Sequence, residues 1–264
     1  MSRANINDAK CVLIVGATAG IGRALALAIH DLPSKPTVIV SGRRRERLDE
    51  LCKTSERIKA APVDLTAGRD ALKLYVEELV SAYPNLDAII LSSGIQHIFN
   101  FKKPGEVDLD LFEQELETNY ISMVTLIKFF MPHLLDLNSK GLPSFIVPIT
   151  SGLAICPLPA VLGYCATKAA LHSLALSLDH QLRNTKVQVM EIIPPLTESE
   201  LHNHQGTAPL YSKYWMPLEQ FTKDAMAGLC RGDVLIGVGD AQDKLDKWES
   251  GKLEAISRTM PTPD

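Results

Sequence analysis

The chain has 264 residues, 46% hydrophobic and 22% charged, the balance of a protein that buries a core rather than of a disordered segment. Lysine and arginine total 27 against 31 aspartate and glutamate, and this formal charge of −4 offers no general basic field for nucleic acid or an anionic lipid surface. The start of the chain lacks the apolar core of a signal peptide, and no uninterrupted run approaches the roughly 18 apolar residues of a membrane span. Cys11, Cys52, Cys156, Cys165 and Cys230 form no Cys-x-x-Cys pair and no metal spacing with histidine. They are read as reduced thiols of a cytoplasmic protein with no membrane or nucleic-acid partner.

In chain order, the apolar run Cys11 to Val15, a glycine turn, and Arg23 to Ile29 at helical spacing predict strand, turn and helix. Thr37 to Val40 follows as a strand, Arg44 to Lys53 as a charged helix and Ile58 to Val63 as a short strand. Ala71 to Ala82 has amphipathic helical spacing, and Leu86 to Leu91 is a buried strand. Leu109 to Leu137 is one long helix or two, ended or bent at Pro132. Ser144 to Ile149 is a strand, Ala160 to Leu182 a long helix, and Val187 to Ile193 and Val234 to Val238 are the last strands. Strands alternating with helices imply right-handed crossovers and a doubly wound parallel α/β sheet, helices on both faces. No repeat or linker divides residues 1–264, so one domain is expected. Pro194 to Phe221, holding His202, His204, Tyr211, Tyr214 and Trp215 without clear period, is too long for a simple connection and is expected to cover a site. The charged tail 241–264 is expected to be exposed.

Gly16-Ala-Thr-Ala-Gly20-Ile-Gly22 lies between the first strand and the first helix. Glycine there permits a tight turn and close approach of a pyrophosphate to the positive helix end. The spacing is neither G-x-G-x-x-G nor a Walker loop. An acidic side chain at the end of the second strand would bind the ribose 2′-hydroxyl of NAD. Here Ser41-Gly-Arg-Arg-Arg-Glu-Arg47 supplies arginines instead, whose charges oppose the dipole of the helix they open. A 2′-phosphate would relieve that opposition; a solvated basic turn is the alternative. Arg43 is the first candidate for the contact and Arg44 the second.

Tyr164 and Lys168 stand four residues apart at the start of a long helix, hence on one face. A phenol near pKa 10 is a poor acid at neutral pH, and an adjacent ammonium improves it. Thr150-Ser151 ends a strand ahead of Tyr164, and Asn119 lies inside the preceding long helix. In this combination and order the sequence resembles the short-chain dehydrogenase/reductase family over about residues 10 to 240. The resemblance implies a Rossmann-type fold and a catalytic set of Asn119, Ser151, Tyr164 and Lys168. It also implies cofactor contacts from Gly16, Thr18, Ala19, Gly20, Ile21 and Gly22, from Arg43, Arg44, Asp64, Leu65, Ser93 and Gly94, and from Tyr164, Lys168, Pro194, Leu196 and Ser199. Tyr164 would protonate a carbonyl oxygen while hydride arrives at carbon, or run the reverse. Ser151 would hold that oxygen. Lys168 would lower the tyrosine pKa and bind the nicotinamide ribose, and Asn119 would hold a water linking Lys168 to solvent.

Val15 stands where the family usually has threonine, Leu91-Ser92-Ser93-Gly94 replaces its Asn-Asn-Ala-Gly, and Pro194-Pro195 replaces its Pro-Gly. The first two changes together suggest local repacking. Ile95 to His97, Ile155 to Pro159 and the loop aromatics Tyr211, Tyr214 and Trp215 would surround the nicotinamide, which suggests a hydrophobic or aromatic carbonyl substrate. His202 and His204 lack a carboxylate or cysteine cluster, so no metal is expected. Leu171, Leu174, Leu178 and Leu182 form an apolar stripe on a helix that in the family builds a dimer interface, implying a homodimer or homotetramer. The expected activity is NADP(H)-dependent reduction of a ketone or aldehyde. The alternatives are an NAD(H)-dependent alcohol dehydrogenase and a catalytically silent nucleotide-binding regulator.

Overall fold

In the computed structural model, which describes residues 3–206 and 208–258, the first apolar run becomes strand β1 (Cys11–Val15), buried at every position. An apolar run without alternation suits a strand covered on both faces. The further strands are β2 (Thr37–Ser41), β3 (Ile58–Ala60), β4 (Ala88–Leu91), β5 (Ser144–Pro148), β6 (Val187–Val189), β7 (Glu191–Ile193) and β8 (Leu235–Gly237). The helices are α1 (Gly20–His30), α2 (Arg45–Cys52), α3 (Arg69–Ala82), α4 (Leu109–Leu116), α5 (Ser122–Ser139), α6 (Leu162–Gln181), α7 (Ala208–Tyr211), α8 (Leu218–Arg231), α9 (Asp240–Trp248) and α10 (Lys252–Ser257).

Six strands form one parallel sheet in the order β3-β2-β1-β4-β5-β6. The order reverses between β1 and β4, which opens a crevice at their carboxyl ends where such sheets bind ligands. The expected strand Val187 to Ile193 divides at Met190, whose N–H still donates to Ile146 while that of Glu191 turns outward to Val234. β7 then pairs with β8 in a separate two-stranded parallel sheet, which a single bridge between Ile149 and Ile192 joins to the end of β5. Val12, Ile14, Val38, Val40, Ile90 and Val147 face one core with Leu25 and Ile29 of α1 and Phe221 and Leu229 of α8. Leu13, Val15, Ile39, Ile89 and Leu91 face the other with Val76 of α3, Leu126 and Phe130 of α5, and Leu171 of α6. The protein is thus a single-domain doubly wound α/β fold, as its strand and helix periods require.

Several boundaries differ from the expectation. Helix continues through Pro132, and the interruption between α4 and α5 is instead a π-turn at Glu117–Ile121. The long loop ends at Pro217, because Phe221 is an apolar anchor of α8 rather than loop. The charged tail is not wholly exposed: α9 buries Ala241 and Leu245 against Ile193. Two helical stretches, Leu109–Ser139 and Pro159–Gln181, are long and apolar enough to cross a membrane by length and composition. Their apolar faces pack on the sheet and carry the site residues.

Candidate active site

The carboxyl ends of β1, β2, β4 and β5 open into a cleft of about 690 Å³. Its floor is the glycine turn. Gly16 has φ +91°, and a Cβ there would lie 2.7 Å from the Ser93 amide nitrogen. Gly22 would strike the Gly16 carbonyl, and Ser92 Oγ stands 3.0 Å from the same point. Ser92 and Ser93 therefore pack directly on the turn, with Ser92 N–H donating to Val15 O at 2.8 Å.

Thr18, Ala19, Gly20, Ile21, Arg43, Arg44, Asp64, Leu65, Ser93, Gly94, Pro194, Leu196 and Ser199 all line the same cleft. Arg44, at the start of α2, turns onto the glycine turn: its Nε and Nη2 donate to Thr18 Oγ1 at 3.0 and 2.7 Å. Asp64 accepts from the N–H and Oγ1 of Thr66 at 3.0 and 2.9 Å. Those bonds, with the nearby charge of Arg43, hold its carboxyl below the usual range. Glycine at positions 16, 20 and 22 leaves the turn open to close approach, and with the arginines beside Thr18 it suits the phosphates of a dinucleotide.

At the other end, Ser151 follows β5 and caps a short helical turn, its Oγ accepting from Leu153 N–H at 3.1 Å. Tyr164 sits in the first turn of α6 and Lys168 one turn on, so both face Ser151 across the cleft. Lys168 Nζ donates to Ile149 O at 2.8 Å and lies 5.6 Å from the Tyr164 ring centre. Burial holds the Tyr164 phenol well above its usual pKa, with a hydrogen bond to Ser151 pulling the other way. Burial pushes Lys168 down to about 8, while the charge of Glu191 supports its protonated form. The phenol therefore stands above its usual value, against the lowering expected from the neighbouring ammonium. A phenol raised above its ordinary value keeps its proton at neutral pH, as a proton donor requires.

Asn119 is fully buried in the π-turn. Its Oδ1 accepts from Ile95 N–H at 2.8 Å, and its Nδ2 donates to Ile95 O at 2.8 Å and Thr167 Oγ1 at 3.1 Å. It fixes the segment after β4 to α6. Beside Gly94, a Cβ would lie 3.5 Å from Asn119 Oδ1 and 3.6 Å from Lys168 Nζ, so the two side chains converge there.

The substrate end is less apolar than expected. Ile95, Leu153, Leu158 and Tyr211 line it, but so do Gln96, His97, His202 and His204. His204 Nε2 lies 2.8 Å from Gln96 O, and its ring packs edge-on against His97 at 5.3 Å. Tyr214 is 75% exposed, and neither it nor Trp215 lines the cleft. His97 is backed by Glu115, a carboxylate of α4 that accepts from the His97 backbone N–H and lies 3.2 Å from its Nδ1. Burial pushes the Glu115 carboxyl up to about 7.

Sequence reasoning missed three charged groups: Glu115, the pair His172 and Glu191, and Glu200. His172 carried a signal, standing four residues past Lys168 on the same helix face. Glu191 was a lone carboxylate in an apolar run. Glu200 carried none, because its partners lie 156 and 153 residues away.

Residues 10–209 match the family model described as short chain dehydrogenase. The chain is 37% identical over 221 residues to the uncharacterised oxidoreductase DltE of Bacillus subtilis (strain 168), covering 84% of each chain. Its fold is similar to that of a short-chain dehydrogenase/reductase from Burkholderia phymatum solved with NAD, at a TM-score of 0.80 and 14% identity over 99% of this chain and 100% of that one. It is also similar to a short-chain dehydrogenase from Sphingobium yanoikuyae solved with NADPH, at a TM-score of 0.77 and 20% identity over 97% and 98%. The chain belongs to the short-chain dehydrogenase family of oxidoreductases.

Proposed function

We propose that the protein is an NADP(H)-dependent carbonyl reductase that converts a ketone or aldehyde to an alcohol. The observation that carries this reading is geometric: Ser151, Tyr164 and Lys168 meet in the same cleft as the glycine turn, with Lys168 Nζ 5.6 Å from the Tyr164 ring centre. Relatives solved with NAD and with NADPH support a nicotinamide dinucleotide, and the absence of a carboxylate at the end of β2 favours the phosphorylated form.

When bound, the nicotinamide supplies the hydride. The glycine turn would hold the pyrophosphate, Arg43 and Arg44 the 2′-phosphate, and Asp64 and Leu65 would flank the adenine. Ser151 would donate a hydrogen bond to the carbonyl oxygen and fix it beside Tyr164. The Tyr164 hydroxyl would then release its proton to that oxygen as negative charge develops there. Lys168, held by Ile149 O, stabilises the phenolate left behind. Asn119, its side chain spent on Ile95 and Thr167, would hold the segment after β4 in place beside Lys168. A cytoplasmic setting is consistent with five free cysteines. An apolar groove of Val124, Ile127, Met131, Pro132, Leu135, Leu174 and Leu178 on α5 and α6 supports a homo-oligomer.

The test is fluorescence titration of NADPH and NADH, followed by NADPH oxidation with a panel of ketones and aldehydes. Selective NADPH binding, selective loss of it in Arg43→Ala or Arg44→Ala, and turnover that depends on Tyr164 are expected. Equal losses for both cofactors would remove the arginines from 2′-phosphate recognition, and binding without turnover on any carbonyl would favour a silent nucleotide binder.

A further inference from the structure

Three segments far apart in sequence meet at the lip of the cleft. Glu200 opens the short helical turn Glu200–Gln205, directly after Ser199, and its carboxylate is shared between two arginines of the α2 end. Oε2 accepts from Arg44 Nη1 at 2.6 Å and from Arg47 Nη1 at 2.8 Å, and Oε1 accepts from Arg47 Nη1 at 2.7 Å. Arg44 is at the same time held on Thr18 Oγ1, and Arg47 Nη1 reaches Thr18 O at 3.4 Å. The two guanidinium groups hold the Glu200 carboxyl below the usual range. Side-chain exposures of 47% for Arg44, 40% for Arg47 and 42% for Glu200 leave the cluster within reach of a ligand from solvent.

A carboxylate receiving two guanidinium groups sits where a phosphate monoester would make the same bonds. We propose that Glu200 sets the discrimination between phosphorylated and unphosphorylated dinucleotide, by occupying in the free protein the arginine donors that the 2′-phosphate must take. The proposal rests on the reading of Arg44 as a 2′-phosphate contact. It adds Arg47 and an internal competitor that follows from no feature of the β2 end.

The competition is unequal by charge. A phosphate monoester carries about −1.5 to −2 and three acceptor oxygens, against one charge and two oxygens on the carboxylate. The phosphorylated dinucleotide therefore displaces Glu200, at the cost of part of its own binding. A ribose 2′-hydroxyl carries no charge with which to displace it. Glu200 shares its helical turn with His202 and His204, which line the substrate end. The ribose end and the histidine-lined end of the cleft are thus joined through one short segment.

The experiment compares the wild-type protein with Glu200→Gln, titrated with NADPH, NADH, adenosine 2′,5′-bisphosphate and 5′-AMP. Exposed ion pairs set the expected scale: NADPH and the bisphosphate should bind about three- to tenfold more tightly to the variant, with NADH and 5′-AMP unchanged within about twofold. Unchanged 5′-AMP binding also shows that the variant is folded. Equal tightening of all four ligands would mean that Glu200 only closes the loop and would overturn the proposal. So would no change, or weaker NADPH binding, which would make Glu200 a support for the arginines. Weaker binding of NADH and 5′-AMP alone would make it a 2′-hydroxyl acceptor and would overturn the proposal equally. A wild-type protein that prefers NADH would instead overturn the cofactor reading, while the ratio between variant and wild type still decides the role of Glu200.

Discussion

His172 stands one helical turn beyond Lys168 on α6, and its Nδ1 lies 2.8 Å from Oε1 of Glu191, a carboxylate only 1% exposed. Glu191 also accepts from Thr150 Oγ1, the residue before Ser151, and His172 Nε2 lies 3.4 Å from Glu249 Oε2. A buried ionic network thus ties the end of β5 to the C-terminal segment. It places the negative charge that favours the ammonium form of Lys168.

Glu191→Gln should move the alkaline limb of carbonyl reduction to lower pH. Lys168 is held near 8 by burial, with Glu191 opposing that fall, so loss of the carboxylate lowers the value further and the ammonium is lost earlier as pH rises. The profile of kcat/KM against pH reads this directly. An alkaline limb at the wild-type position would separate Glu191 from Lys168.

His172→Ala should destabilise the fold by about 3 kcal/mol at pH 6, the cost of removing one partner from a buried pair. Burial pulls the His172 pKa down, but Glu191 and then Glu249 outweigh it and raise the value above that of a free imidazole. A raised folded pKa contributes stability that is complete below about 6.5 and fades as pH climbs through the folded value. The gap between wild type and variant in urea denaturation should therefore narrow toward pH 9. A gap independent of pH would mean that His172 acts by packing alone.

Tyr164→Phe should lower kcat by about 10²- to 10⁴-fold, the range of a positioned general acid, with NADPH affinity changed little. Single-turnover kinetics and direct titration separate the two effects. Retained turnover would remove Tyr164 from proton transfer.

Gly16→Ala meets two obstacles, a φ of +91° and the Ser93 amide 2.7 Å from the new methyl. It should cost about 1–3 kcal/mol of stability and weaken dinucleotide binding about tenfold or more. Denaturation and NADPH titration measure both. Undiminished binding would place the pyrophosphate elsewhere.

Leu135→Glu puts a charge into the apolar groove on α5 and α6, at a side chain already 38% exposed. Sedimentation velocity should show a smaller species than the wild type, with the fold retained. Identical sedimentation would exclude this face from assembly.

Features set by local spacing were the legible ones. The glycines follow a strand, Tyr164 and Lys168 lie one turn apart, and the alternation of strands and helices fixes the sheet without long-range information. The arginine cluster was visible, yet which arginine turns onto Thr18 depends on how α2 begins: Arg44 makes that bond, while Arg43 lines the cleft near Asp64. Glu191 lies where β6 gives way to β7, and its inward direction follows from the change of partner at Met190. Tyr214 and Trp215 were drawn to the substrate by their chemistry alone, and nothing local could show that they do not line the cleft.

The π-turn at Glu117–Ile121 has a consequence for phase. One additional residue in a helix offsets everything before it by about 100° relative to everything after it. α4 and α5 therefore run as one rod with two angular settings: the first aims Glu115 at the back of His97, and the second aims Leu126 and Phe130 at the sheet. A helix of uniform period would have to surrender one of those directions. Asn119 sits at the dislocation itself, so deleting a single residue there would rotate the carboxylate out of the pocket and the asparagine off Ile95 in the same motion.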